Sequence, residues 1–294
     1  MRLCGFLNIH KPKGVTSRAV VDQVGRRLRR IKLGHCGTLD PLASGVLVLA
    51  VGRAARIIEQ IHELPKTYRS HFCLGATSAT DDAEGPITSI STPHAPSLAD
   101  VEAGLKRFVG VFAQIPPRLS AVKLAGTRAH ELARKGLCVD LPARQVMVQR
   151  ISLLTYAYPR LEIEVECGKG TYIRSLARDL GEALGCGGYV GELIRTRIGP
   201  FHLKDAIPWG ASKEALLQNL CPLTQGLTHL PRLEALAEDF ERLRHGRCVV
   251  AKQLDDTSAA TTMGWLAHGL DDVVILVRID ARQRLLIPIK IIVY

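Results

Sequence analysis

Asp40 stands between a glycine-rich turn and a proline in "GHCGTLDPLASGVLVLAVG", residues 34–52, and the chain then runs on almost wholly apolar. A surface charge gains nothing at that place, and serine or asparagine would serve a plain connecting turn as well. A carboxylate at the lip of a buried strand can attack an electrophilic carbon or remove a proton. Pro41 and the neighbouring glycines fix the backbone, so the carboxylate is presented without reorganisation. No phosphate-binding glycine fingerprint, no Cys-x-x-Cys pair and no His-x-x-x-His pair occur anywhere in the chain. A nucleotide cofactor and a metal centre are therefore not expected.

The elements that must hold Asp40 can be read on either side of it. "GFLNIHKPKGVTS" predicts a short strand, a Lys-Pro-Lys-Gly turn, and a helix capped by Thr16 or Ser17. Val20, Val24, Leu28 and Ile31 share one face of that helix, while Arg26, Arg27, Arg29 and Arg30, with Lys32 beyond, make a basic face. Gly45–Gly52 reads as a buried strand and Ala54–Leu64 as a helix. "KTYRSHFCL" alternates, with Tyr68, Phe72 and Leu74 on one side, before breaking into the acidic loop "ATDDAEG". Ala99–Phe108 reads as a helix, and "TRAHELARKG" as another that ends at Gly136. "RQVMVQRISLLTYAY" and "RLEIEVECGKG" read as paired strands, and "TYIRSLARDLGEALG" as a helix. Prolines and polar residues thin out the pattern at 205–231, which places a boundary near 228. The tail predicts strands at about 247–254, 273–280 and 284–293. The whole is α+β: a mixed or antiparallel sheet in residues 1–228, and a small β-rich module in 229–294.

Of 294 residues, 47% are hydrophobic, enough for a sizeable core. The formal charge of +11 is carried by residues 1–230, with 30 Lys and Arg against 19 Asp and Glu; residues 231–294 hold nine of each. That asymmetry points to a polyanionic partner for the first part, most simply nucleic acid. The eight cysteines are scattered and read as reduced thiols, so a cytoplasmic protein is expected. The N-terminus has too short an apolar run for a signal peptide, and no long apolar stretch suggests a membrane span.

Four segments in order carry a resemblance. "GHCGTLDPLASGVL" matches at every fixed position the signature GHxGTLDPxAxGVL of the bacterial tRNA pseudouridine-55 synthases, the TruB family. "HKPKGVTS" is similar to that family's KPxGxTS segment, "KTYR" to its K-x-Y strand, and "GKGTYIRSLARDLGEALG" to its GTYIR helix. The tail is more loosely similar to the small RNA-binding module, PUA-like, that follows the catalytic domain in the family. The resemblance implies an enzyme that detaches uracil from its ribose, turns it and rejoins it through C5, with neither cofactor nor metal. It implies Asp40 as the essential aspartate, acting by attack on the sugar or the base or by removal of a ribose proton. Arg174 is implied as its partner and Tyr68 as the ring that stacks on the flipped uracil. Leu193 and Tyr172 are implied beside the base, and His35 in the space that the extruded nucleotide leaves. Lys11, Lys169, Lys13, the 26–32 cluster, Lys123, Arg128, Arg195 and Arg197 are candidates for a phosphate-facing surface.

The chain departs from the family pattern at Leu119, in "PPRLSA", and at His130 and Ile194. Each bears on RNA contacts or on packing beside the site. The expected activity is isomerisation of uridine 55 in the T-arm stem-loop of tRNA, by a monomer that needs neither membrane nor obligate protein partner. A guide-RNA-dependent relative is one alternative, although that form usually carries long basic extensions. An RNA-binding or tRNA-folding protein without catalysis is another, but binding alone needs no buried carboxylate. A phosphohydrolase suggested by "GTLD" fails, because that chemistry needs further acidic residues beside the aspartate. The tail is expected to be separable, leaving an active catalytic part after truncation near Pro231.

Overall fold

The computed structural model describes residues 3–29, 31–92, 94–120, 123–124, 127–128, 141–250, 263–267 and 273–293. Its first part is a mixed sheet edged by helices. In chain order the main elements are β1 (Gly5–Lys11), α1 (Ser17–Arg27), β2 (Leu33–His35), β3 (Ser44–Val51), α2 (Ile58–Glu63), β4 (Lys66–Leu74) and α3 (Leu98–Lys106). They continue with β5 (Gly110–Gln114), β6 (Arg144–Ala157), β7 (Arg160–Cys167), α4 (Ile173–Ala183) and β8 (Gly188–Ile198). Across the sheet the order is Ile207–Pro208, β1, β3, β8, β4, β7, β6, β5. All neighbours are antiparallel except Ile207–Pro208 with β1 and β8 with β3.

β3 lies between β1 and β8 in this sheet. Its apolar run is buried from Gly45 to Val51, which is why the sequence shows no alternation there. Val46, Val48 and Ala50 face a cluster with Phe6, Ile57 and Ile61; Leu47, Leu49 and Val51 face another with Val20 and Val24 of α1 and Leu28 just past its end. Thr16, not Ser17, caps α1: its side chain accepts from the Ala19 amide at 3.1 Å. The stretch read as one helix, Ala54–Leu64, is a 3-10 helix, Gly52–Ile57, that passes into α2.

β5 and β8 lie outside the sequence expectations. Two bulges, at Val190/Glu192 and Arg195/Arg197, break the period of two in β8, so its buried residues Val190, Leu193, Arg195 and Ile198 are spaced unevenly. The helix expected over 127–136 lies outside the described residues, apart from Thr127–Arg128, which pairs as a strand with Lys123–Leu124. His130 and the side chains of Lys123 and Arg128 also lie outside them.

The tail holds a helix, Ala237–Arg244, that the sequence reading did not foresee. It also holds an antiparallel sheet ordered Val249–Val250, β11 (Leu285–Val293), β10 (Val273–Asp280), β9 (Met263–Ala267). β10 and β11 match expectation, and β9 does not appear in it. The tail packs against the first part of the chain, which bears against the separability expected of it. Trp265, Val274, Leu276 and Ile292 share one apolar cluster with Phe6, Ile57, Leu223 and Leu227. Above it, Arg53 and Arg56 donate to the Val293 and Ile291 carbonyls at 2.9 and 2.7 Å, and Lys290 meets Glu59 at 3.2 Å.

Candidate active site

The turn that carries Asp40 is held from three sides, and "HKPKGVTS" supplies one of them. The Ser17 hydroxyl donates to the Leu39 carbonyl at 2.9 Å and accepts from the Leu39 amide at 2.8 Å. The Gly14 amide donates to the Pro41 carbonyl at 2.8 Å. Lys11 is fully buried, and its ammonium donates to the carbonyls of Val15, Pro12 and Pro41 at 2.7, 2.9 and 3.5 Å. Lys11 therefore braces the turn from inside and does not face phosphate, which corrects its reading as a substrate-binding surface residue. Burial lowers its pKa to about 8, against the opposing charge of Asp40.

Arg195 requires the same correction. It is 2% exposed, and its guanidinium donates to the carbonyls of Val46, Gly37 and Thr38 at 2.8, 3.1 and 3.5 Å. It ties β8 to the turn. Gly45 makes that approach possible: a Cβ there would lie 2.2 Å from the Arg195 carbonyl oxygen, and the residue sits at a φ of +109°. Arg197 is likewise engaged, with Glu166 at 2.7 Å.

Arg174 closes the third side from the first turn of α4. Its Nε lies 2.9 Å from Asp40 Oδ2, and one terminal nitrogen lies 3.5 Å from Asp82 Oδ2. The same guanidinium donates to the carbonyls of Thr80 at 3.1 Å and Leu119 at 3.0 Å. Asp179, the alternative partner on the helix, is taken by Arg178, which also meets Asp81 at 2.9 Å. Leu119 thus takes part through its backbone, so its departure from the family pattern leaves this contact intact. Asp82 was missed in the sequence because "TDDAEG" reads as a solvated acidic loop. The signal was Thr80 two residues before it: the Thr80 hydroxyl donates to Asp82 Oδ1 at 2.5 Å, and the Glu84 amide donates to the same oxygen at 3.0 Å.

These residues open onto a cleft of about 570 Å³. Asp40, Tyr68, Tyr172, Arg174, Leu193 and Lys169 line it together. Tyr68 lies directly opposite Arg195 in the β4–β8 register, and burial raises the pKa of its hydroxyl despite the nearby guanidinium. Burial also raises the Tyr172 hydroxyl. The Tyr172 peptide is fixed by the Gln114 amide, which accepts from its N–H at 2.8 Å and donates to its carbonyl at 3.1 Å. Lys169 sits at the mouth and pairs with Glu63 at 2.6 Å. Arg144, exposed, and Lys66, buried, line the cleft too; the sequence reading quotes Lys66 only as the first residue of "KTYR" and gives neither a role.

His35 does not line the cleft. It lies on β2 opposite Leu49, its Nδ1 finds no partner among the described residues, and burial lowers its pKa. Ile194 is half-buried on β8, where it pairs with Ser44. Among the described residues, no group of three or more His, Cys, Asp or Glu side chains could hold a metal ion. No described helix is long and apolar enough to cross a membrane.

A carboxylate backed by a sealed cation, facing an aromatic ring and a leucine across a basic-mouthed cleft, suits attack on a nucleoside. Comparison with known proteins decides the family. The model of the TruB family pseudouridylate synthase N-terminal domain matches residues 26–173, and that of the tRNA pseudouridylate synthase B C-terminal domain matches 174–220. The chain belongs to the TruB family. A tRNA pseudouridine synthase B of Cereibacter sphaeroides is 45% identical over 250 residues, 83% of each chain. One of Rhodopirellula baltica is 37% identical over 82% of this chain and 74% of its own. A crystal structure of a Cbf5–Nop10–Gar1 complex matches with a TM-score of 0.64 and 28% identity, over 82% of this chain and 67% of that one. A TruB-family chain is an isomerase that forms pseudouridine in tRNA, and the α+β fold with its small antiparallel tail sheet agrees with that assignment.

Proposed function

We propose that this enzyme converts uridine 55 in the T-arm of tRNA to pseudouridine, with Asp40 as the group that acts on the flipped nucleotide. One observation carries the reading. Asp40 alone of the two carboxylates on Arg174 is offered to the cleft, with its side chain 37% exposed against 4% for Asp82. Arg174 neutralises and aims it, while Tyr68 supplies a stacking face and Leu193 an apolar wall. Extrusion of the base costs a few kcal/mol of unstacking, and stacking on an aromatic ring returns roughly 1–3 kcal/mol. Lys13, Arg29, Lys32 and Arg144 are the exposed cations that suit phosphate contact. The reading needs no guide RNA, cofactor or partner chain, and residues 229–294 serve as an accessory module of PUA type.

The test is to treat an unmodified tRNA transcript with the purified protein and to map pseudouridine at single-nucleotide resolution. Modification at position 55, repeated on an isolated T-arm stem-loop, supports the proposal. Modification elsewhere, or dependence on an added guide RNA, refutes it.

A further inference from the structure

A buried charge is ordinarily paired or well supplied with hydrogen-bond partners, and two of the three buried cations in the cleft meet that condition. Arg174 meets Asp40 and Asp82, and Arg195 spends its donors on backbone carbonyls. Lys66 does not. It is 7% exposed; among the described residues its ammonium donates one hydrogen bond, to the His62 carbonyl, and has no carboxylate partner. An ammonium has three N–H groups, so two are left to the cleft that the side chain lines. Lys66 precedes Tyr68 by two positions on β4 and so lies on the same side of the sheet as the ring proposed to carry the base.

We propose that Lys66 is a catalytic residue, whose ammonium stabilises the negative charge that develops on a carbonyl oxygen of the uracil. This rests on the reading of the cleft as the base site, but not on any one route for Asp40. If Asp40 attacks C1′, the C1′–N1 bond breaks as the new C–O bond forms, and the bonding pair stays on the base over N1, O2 and O4. If Asp40 takes the C2′ proton, the same bond breaks and the same anion leaves. If Asp40 adds to C6, the ring pair moves to O4. Lys66 stays protonated in every case. As C5 joins C1′, the C1′–O bond to Asp40 breaks in the first route and C2′ regains its proton from Asp40 in the second. In the third, C1′–N1 breaks after addition and the C6–O bond breaks last. Loss of the C5 proton and protonation of N1 thus return a neutral base and a free carboxylate. The substrate is neutral at the start, so the interaction is gained in the transition state rather than on binding. It acts where water is excluded and Coulomb forces are strong.

The charges around Lys66 allow a pH test. Burial first, then Arg195 on β8 and Lys169 at the mouth, lower its pKa to about 8, while Cys167 on β7 and Glu63 on α2 oppose them. The free enzyme should therefore lose activity as pH rises through about 8, because the neutral amine carries no charge to the oxyanion.

The experiment measures single-turnover pseudouridine formation and stem-loop affinity for wild type, Lys66→Met, Lys66→Arg and Asp40→Asn. Lys66→Met should slow turnover by about 10²-fold or more, the effect of removing one donor to a developing oxyanion, with affinity within about threefold. Lys66→Arg should restore part of the rate. The wild-type second-order rate constant should show the alkaline limb, and Lys66→Arg should move that limb upward. That shift separates Lys66 from Lys11, whose pKa burial also lowers to about 8. A Lys66→Met enzyme of near-normal rate overturns the proposal. So does a loss confined to affinity, which would mark a phosphate contact, or a wild-type profile flat to pH 9. If Asp40→Asn stays active, the base-site reading itself fails; if it is dead while Lys66→Met is unaffected, the role of Lys66 alone fails.

Discussion

Arg174 and Asp40 form an ion pair of unequal exposure: the two side chains meet at 2.9 Å, yet the cation is 5% exposed and the carboxylate 37%. The guanidinium is spent on the protein and the carboxylate is left for the substrate. Lysine has no fork with which to span Asp40, Asp82 and the two carbonyls. Arg174→Lys should lower turnover by about 10²-fold, the scale of one misplaced electrostatic group. Arg174→Ala should also cost about 3–5 kcal/mol of stability, because Asp82 is left buried and unpaired. Single-turnover kinetics and urea unfolding check the two parts; a lysine variant with wild-type turnover would contradict the first.

Asp40→Asn keeps the shape of the side chain and removes its charge. Turnover should fall by at least about 10³-fold, the scale for a group acting at the reacting atoms, with thermal stability and stem-loop affinity nearly unchanged. Substantial residual pseudouridine would remove Asp40 from its role.

Ser17 makes both hydrogen bonds of its hydroxyl with the backbone of Leu39, next to Asp40. Ser17→Ala strands a buried N–H and a buried carbonyl, at about 1–3 kcal/mol each. Stability should fall by that order, and turnover should fall more than affinity, since a misplaced attacking group costs rate. Equal effects on both would mean that the serine serves the fold alone.

Arg29 and Lys32 are exposed and have no ion-pair partner among the described residues. If they meet phosphates, affinity for tRNA falls with salt on a log–log slope of about −0.7 to −0.9 per phosphate. The double variant Arg29→Ala, Lys32→Ala should flatten that slope by about one to two units. An unchanged slope returns this face to ordinary solvation.

Truncation before Pro231 removes Trp265, Val274, Leu276 and Ile292 from a cluster that includes Phe6 and Ile57. At about 1.5–3 kcal/mol per large apolar side chain, the four together amount to about 6–12 kcal/mol, comparable with the whole usual margin of stability of about 5–15 kcal/mol. The truncated protein should be insoluble or molten by near-ultraviolet circular dichroism. A folded, active truncation would show that the shared cluster is dispensable.

The motif-bearing half of the site is legible because Asp40, Tyr68, Tyr172 and Arg174 lie at fixed offsets within short segments, and the fold brings those segments to one cleft. What was misread are the cations. Lys11 continues the alternation Leu7, Ile9, Lys11 on a strand whose odd positions are all buried, and that period placed it inside. Arg195 stands two residues after buried Leu193, but the two bulges in β8 hide the pattern. A strand with an irregular period, rich in arginine, looks like a basic loop until its neighbours are known. Asp82 and Lys66 gain their meaning from partners 92 and 4 residues away, Arg174 and His62, or from the lack of one. Local composition carries neither fact.

The Arg53 and Arg56 contacts to β11 also order events in time. Phe6, Ile57 and Ile61 emerge early from the ribosome, but their cluster is completed by Ile292. At a usual synthesis rate of about 5–20 residues per second, β3, the strand that follows Asp40, waits roughly 10–50 s for this part of its cover. During that interval the apolar face of Phe6, Val46, Val48 and Ala50 lacks part of the cover it has in the finished fold.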